Sequence, residues 1–155
     1  MATRPPPHDA VAMTETPTHI LDSARVGDCM RAGIFTCDPH TSLREVAATM
    51  SSLRIHAIAL RAPHGHRLPL ISDLEVMAGI ALSDQLQAGD LVAATANTVS
   101  RIQPLREAAQ LMVERGASHL IVLDEASGHP VGVLSTTDIL QAYAAPLPLS
   151  TRNHP

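Results

Sequence analysis

Apolar and polar positions follow one pattern twice along this chain. Leu43, Val46, Ala47, Met50 and Leu53 recur at spacings of three and four, the period of a single helix face. Leu105, Ala108, Ala109, Met112 and Val113 repeat that stripe, with Pro104 suited to a first helical turn. A short extended segment precedes each stripe, Ile34 to Cys37 and Ala96 to Val99. Two apolar runs follow each: Ala57–Leu60 with Leu68–Ile71, and Leu120–Leu123 with Val131–Leu134. Short runs bounded by turn residues suit strands buried on both faces. Second helices are predicted to start at Ser72 and Ser135. Each half therefore reads β-α-β-β-α.

The copies open on Gly27-Asp28 and Gly89-Asp90, 62 residues apart, and Leu43-Arg44-Glu45 and Leu105-Arg106-Glu107 keep that offset. Beyond the helices, residue identity favours 63, matching His56 with His119, Gly65 with Gly128 and Ser72 with Ser135. Two copies do not make a solenoid. Halves of this kind bury their sheet faces only against one another, which predicts a pseudo-twofold axis and two equivalent clefts. The expected fold is α+β, two pseudo-symmetric domains packed sheet to sheet, over residues 21–83 and 84–146. Residues 1–20, with Pro5-Pro6-Pro7, lack periodicity and read as a disordered arm; residues 147–155 read as a flexible tail.

Apolar residues make up 45% of the chain, yet there is no Trp, one Tyr (Tyr143) and one Phe (Phe35), so the core must be aliphatic. No apolar run approaches the roughly 20 residues that span a bilayer. The N-terminus lacks the hydrophobic stretch of a secretory signal. A cytoplasmic protein without a membrane partner is expected. The net charge is −4, and all 11 basic residues are Arg. Without Lys, Schiff-base chemistry and the phosphate-loop lysine are excluded. Without a basic face or aromatic platforms, nucleic acid is not an expected partner.

Cys29 and Cys37 fall opposite Leu91 and Val99 in the repeat, so they read as core packing. His64-Gly65-His66 lacks the third and fourth ligands that zinc generally takes, and it reads as a solvated loop. Neither Ser72 nor Ser135 has an evident His and Asp set for a hydrolase triad. The expectation is a protein with no catalytic residue, no metal and no cofactor.

Gly132-Val133-Leu134-Ser135-Thr136-Thr137-Asp138 follows the order Gly, two apolar residues, Ser, two residues, Asp. Upstream runs Ser118-His119-Leu120-Ile121-Val122-Leu123-Asp124. Together with the duplicated layout, these segments resemble the cystathionine-β-synthase-type (CBS) domain pair, over about Arg25 to Ala144. The resemblance implies a regulatory module that binds an adenosine-containing ligand (AMP, ADP, ATP, NAD or S-adenosylmethionine) and signals to a partner protein. It also implies a homodimer built through helices. The other reading is a dimeric structural module with degenerate pockets.

The residues themselves supply a chemistry. A serine at a strand-to-helix turn caps the helix, beside N–H groups that suit a phosphate. Asp138 offers two oxygens for ribose hydroxyls, in charge-assisted bonds. The same Ser-x-x-Asp spacing is also a capping signature. By resemblance, the stronger site takes Val133, Ser135, Thr137 and Asp138 with Ser118. Gly33, Ile34 and Phe35 would cover the base, and His56 would reach phosphate. A weaker site takes Ile55, Leu70, Ser72, Leu74 and Glu75, with Thr95, Ala96, Asn97 and His119. Arginines that such proteins often carry near phosphate are replaced at Ser118 and Ile55. In the first half Pro69 stands where Gly132 does, and Glu75 where Asp138 does, which favours a plain helix cap there.

Overall fold

A computed structural model describes residues 20–61, 68–91 and 96–145. Two four-residue helices, α1 (Ile20–Ser23) and α2 (Val26–Cys29), lead into β1 (Arg31–Ala32) and β2 (Thr36–Cys37). Helix α3 (Leu43–Leu53), strands β3 (Ala57–Leu60) and β4 (Leu70–Ser72) and helix α4 (Asp73–Leu82) complete the first half. A 3-10 turn at Ala88–Leu91 precedes β5 (Thr98–Ser100), α5 (Leu105–Arg115), β6 (His119–Leu123), β7 (Pro130–Ser135) and α6 (Thr136–Ala144). The mixed α+β fold with two sheets is as predicted. One sheet runs β2-β3-β4, the other β1-β7-β6-β5.

Helix ends follow from local chemistry. Ser42 and Glu45 form a reciprocal cap at α3, as do Ser72 and Glu75 at α4 and Ser135 and Asp138 at α6. Both long helices, α3 and α5, end in a left-handed residue, Arg54 (φ 52°) and Gly116 (φ 60°), whose N–H closes the last turn.

Each half has its own aliphatic cluster, and the two clusters match position by position. Val46, Met50, Ile58, Leu60, Ile71 and Val76 are buried in the first; Ala108, Met112, Leu120, Val122, Leu134 and Ile139 are buried in the second. Ala59 and Ile121 lie on the opposite strand faces, since side chains alternate, and both are still fully buried. Those second faces are therefore covered by the other half, which is the sheet-to-sheet seam.

The openers cross that seam. Val26, at the opening of the first half, is buried in the second half's cluster, and Ala88, at the opening of the second, in the first half's. Cys29 packs against the second cluster and Cys37 against the first, both as free thiols that burial pushes above the usual range. Asp22 on α1 forks onto Arg106 of α5 through two hydrogen bonds.

Strand pairing corrects one match made on residue identity. Thr36 faces Ala59 in the first sheet and Thr98 faces Ile121 in the second, so the offset along β3 and β6 is still 62. His56 is therefore equivalent to Ser118, and Ala57 to His119. The extra residue enters within the hairpin joining β6 to β7, where the register shifts between Val122 and Leu123. The cause is the helix cap. Ile55 N–H bonds Met50 O, and Ala117 N–H bonds Met112 O, so each strand start is fixed by the helix before it. The hairpin, free of that constraint, absorbs the insertion.

Candidate functional site

Strand β1 pairs antiparallel with β7, Arg31 opposite Val133 and Ala32 opposite Gly132. This carries a segment of the first half onto the sheet of the second. Gly132 permits it: a Cβ there would lie 2.5 Å from the Arg31 carbonyl oxygen. The chain then turns at Gly33 (φ 83°), whose N–H bonds Val131 O, and passes through Ile34 and Phe35 into the other sheet.

Under that crossing lies an open-mouthed cleft. It is lined by Gly33, Ile34, Phe35, His56, Val133, Ser135 and Asp138, seven of the residues expected at the stronger site. Ile55, Leu70 and His119, expected at the weaker site, line this same cleft. Ser118 and Thr137 border it through their neighbours without lining it. Ser72, Leu74, Glu75, Ala96 and Asn97 are also outside the lining, and Thr95, like His64 and His66, lies outside the described residues. Arg31 and Ala57 are lining residues that the sequence reading passed over. Gly132 was the available signal, because glycine inside a strand marks a close backbone approach.

The polar groups are tightly committed. Asp138 Oδ2 accepts from Ser135 N–H and Ser135 Oγ, both at 2.7 Å, while Asp138 N–H donates to Ser135 Oγ at 3.2 Å. Both lone pairs of Oδ2 are thus used. Of the two oxygens expected to face a ribose, only Oδ1 is open among the described residues. Glu75 makes the same cap, its Oε2 accepting from Ser72 N–H at 2.7 Å and from Ser72 Oγ at 3.0 Å.

The two histidines differ. His56 is exposed and its Nδ1 pairs with Asp73 Oδ2 at 2.8 Å. His119 Nδ1 shares a 2.8 Å hydrogen bond with Ser118 Oγ. Burial holds His119 below the usual imidazole range; nearby Asp73, Asp138 and Glu75 pull the other way, and His56 adds to the lowering. Among the described residues, no group of three His, Cys, Asp or Glu could hold a metal ion.

A duplicated β-α-β-β-α unit closed on itself, with a cleft fed by both copies, defines a tandem-repeat fold of paired small domains. The model of the CBS domain matches residues 26–80 and 88–145, and this chain belongs to that family. The uncharacterized protein MK0525 of Methanopyrus kandleri is 24% identical over 125 residues, 78% of this chain. The chain spans 63% of the length of that relative. Among solved structures, the CBS domain protein PAE2072 from Pyrobaculum aerophilum, complexed with AMP, matches at TM-score 0.65 and 23% identity, covering 78% of this chain and 98% of that one. The CBS domain pair of protein MJ0100, in complex with 5'-methylthioadenosine and S-adenosyl-L-methionine, matches at TM-score 0.68 and 18% identity, covering 77% and 95%. At such identities the likeness is one of fold. No helix among the described residues is long and apolar enough to cross a membrane.

Proposed function

We propose that this chain is a regulatory module that takes an adenosine-containing ligand in the seam cleft and passes the bound state to another protein. The class comprises AMP, ADP and ATP, with NAD and S-adenosylmethionine as further members. The observation that carries this reading is the Ile34–Phe35 segment. Ile34 lines the cleft, and its backbone N–H and C=O have no partner among the described residues. A donor and an acceptor on one residue suit the edge of an adenine ring. Phe35 beside it is 46% exposed and presents an aromatic face for the base. Opposite, Asp138 Oδ1 is open to a ribose hydroxyl.

The solved relatives bound to AMP and to S-adenosylmethionine support the same ligand class. In this proposal the chain performs no catalysis and works in the cytoplasm. Mass spectrometry of nucleotide released from the purified protein by gentle denaturation tests it. An adenosine compound near stoichiometric amount is expected; none, together with no heat on titration with AMP, overturns the reading.

A second reading rests on a separate observation. Helices α4 and α6 leave Leu74, Met77, Ile80, Leu140 and Tyr143 exposed, each 46% or more. Met77 and Ile80 are equivalent to Leu140 and Tyr143 in the repeat. Two matching apolar helix faces suit a homodimer, with or without ligand in the cleft.

A further inference from the structure

The cleft is poor in groups that could hold more than one phosphate. Its described lining carries one guanidinium, Arg31, and one carboxylate, Asp138, with the two imidazoles between them. The acidic side chains Asp73 and Glu75 also act on His119. Asp73 already holds His56, its Oδ2 lying 2.8 Å from His56 Nδ1. Nor does the start of α6 offer a free nest of donors. Ser135 N–H and Asp138 N–H are consumed by the cap, and Thr136 N–H donates to Ser118 O at 3.0 Å. Thr137 N–H is the one backbone donor of that turn without a partner among the described residues.

The favourable end of the α6 dipole is likewise occupied. An anion there would meet the Asp138 carboxylate, which has taken the position an external phosphate would want. At the start of α4 the donors are fully spent: Ser72 N–H and Glu75 N–H on the cap, Asp73 N–H on His56 O, Leu74 N–H on Asp73 Oδ1.

Resting on the adenosine reading, we propose that this cleft selects by charge: it accepts an adenosine ligand with one phosphate or none and discriminates against the triphosphate. One phosphate finds the Arg31 guanidinium, which lines the cleft and spends one N–H on the Arg54 carbonyl at 3.5 Å. Each further phosphate adds negative charge with no second guanidinium in the described lining to meet it, and lies in the field of Asp138, Asp73 and Glu75. At the effective dielectric of a protein surface, an added like charge roughly 10 Å away costs about a tenfold loss in affinity before salt screening.

Titration calorimetry of the full chain with adenosine, AMP and metal-free ATP tests this. AMP is expected to bind at least about tenfold tighter than ATP at about 50 mM salt, the gap shrinking at about 500 mM as charge is screened. Arg31→Gln should erase the advantage of AMP over adenosine. Glu75→Gln keeps a cap-competent amide and should raise ATP affinity about threefold while leaving AMP unchanged. ATP binding as tightly as AMP overturns the selection. So does a gap that ignores salt, which would make the discrimination one of size. No heat with any of the three ligands overturns the adenosine reading itself, and this proposal with it.

Discussion

Gly27 and Gly89 donate their backbone N–H groups to carbonyls of the opposite half, Gly27 to Arg101 and Gly89 to Pro39, each at 2.8 Å. A Cβ on either glycine would sit 3.1 Å from that same oxygen. The following aspartates tie the turns: Asp28 Oδ2 accepts from Arg25 N–H, and Asp90 Oδ2 from Gln87 N–H. The Gly-Asp pair that opens each copy is therefore a fastener between halves.

Glycine substitutions should rank by these contacts. Gly132→Ala brings a methyl within 2.5 Å of the Arg31 carbonyl, so β1 must shift, at a cost of about 1–3 kcal/mol. Gly27→Ala meets its oxygen at 3.1 Å and gains helix propensity in α2, so it should be nearly neutral. Urea midpoints at unchanged slope will show the order; equal losses would mean that β1 yields freely.

Asp138→Ala should show two effects at once. Loss of the reciprocal cap should lower stability by about 0.5–2 kcal/mol. Loss of a charged acceptor should weaken adenosine-nucleotide binding about 10- to 150-fold. Calorimetry beside thermal melts separates the two, and unchanged affinity with a lowered melting point would make Asp138 a cap alone.

One strong site per chain is expected. Titration with AMP should saturate near one equivalent, and Glu75→Ala should leave that stoichiometry alone, since Asp138 lines the cleft and Glu75 does not. Two equal sites per chain would refute the asymmetry.

Dimerisation is expected to use the apolar faces of α4 and α6. Light scattering at micromolar concentration should give twice the chain mass, and Met77→Glu with Leu140→Glu should halve it. A wild-type monomer across that range rejects this interface.

His119 should make the protein acid-sensitive. Its folded pKa is depressed by burial, so the unfolded chain takes the proton first as pH falls. Stability is whole above the unfolded imidazole value of about 6.5 and is lost as pH drops through the lower folded value. His119→Gln should flatten that decline in denaturant melts between about pH 7 and 5.

Much of this architecture was legible beforehand. The stripes of α3 and α5 were read from period alone, and Leu43, Val46 and Met50 with Leu105, Ala108 and Met112 are buried as read. Leu53 and Val113 at the far ends of the stripes are exposed, and Pro104 caps α5 from just outside its first turn. The match of His56 to His119 failed because chemical identity outweighed geometry; the caps at Arg54 and Gly116 fix the strands one residue differently. Strand β1 was illegible because two residues carry no periodicity and Arg31–Ala32 pairs only where Gly132 leaves room. Of the candidate site, Asp138 and Ser135 announced themselves by spacing. Arg31 had no local signal at all.

The crossing of Val26 and Ala88 also bears on how such a chain breaks. Were the two copies separate molecules, each lending its opening turn to the other, the arrangement would be called a domain swap. Here the swap is internal and the connection through Ser83 and Asp84 makes it permanent. Proteolytic scission at that connection would leave two fragments, each holding a piece of its neighbour's core. Neither fragment would be expected to fold alone, yet mixed together they should reassemble by complementation, each supplying the opening turn that the other's core needs.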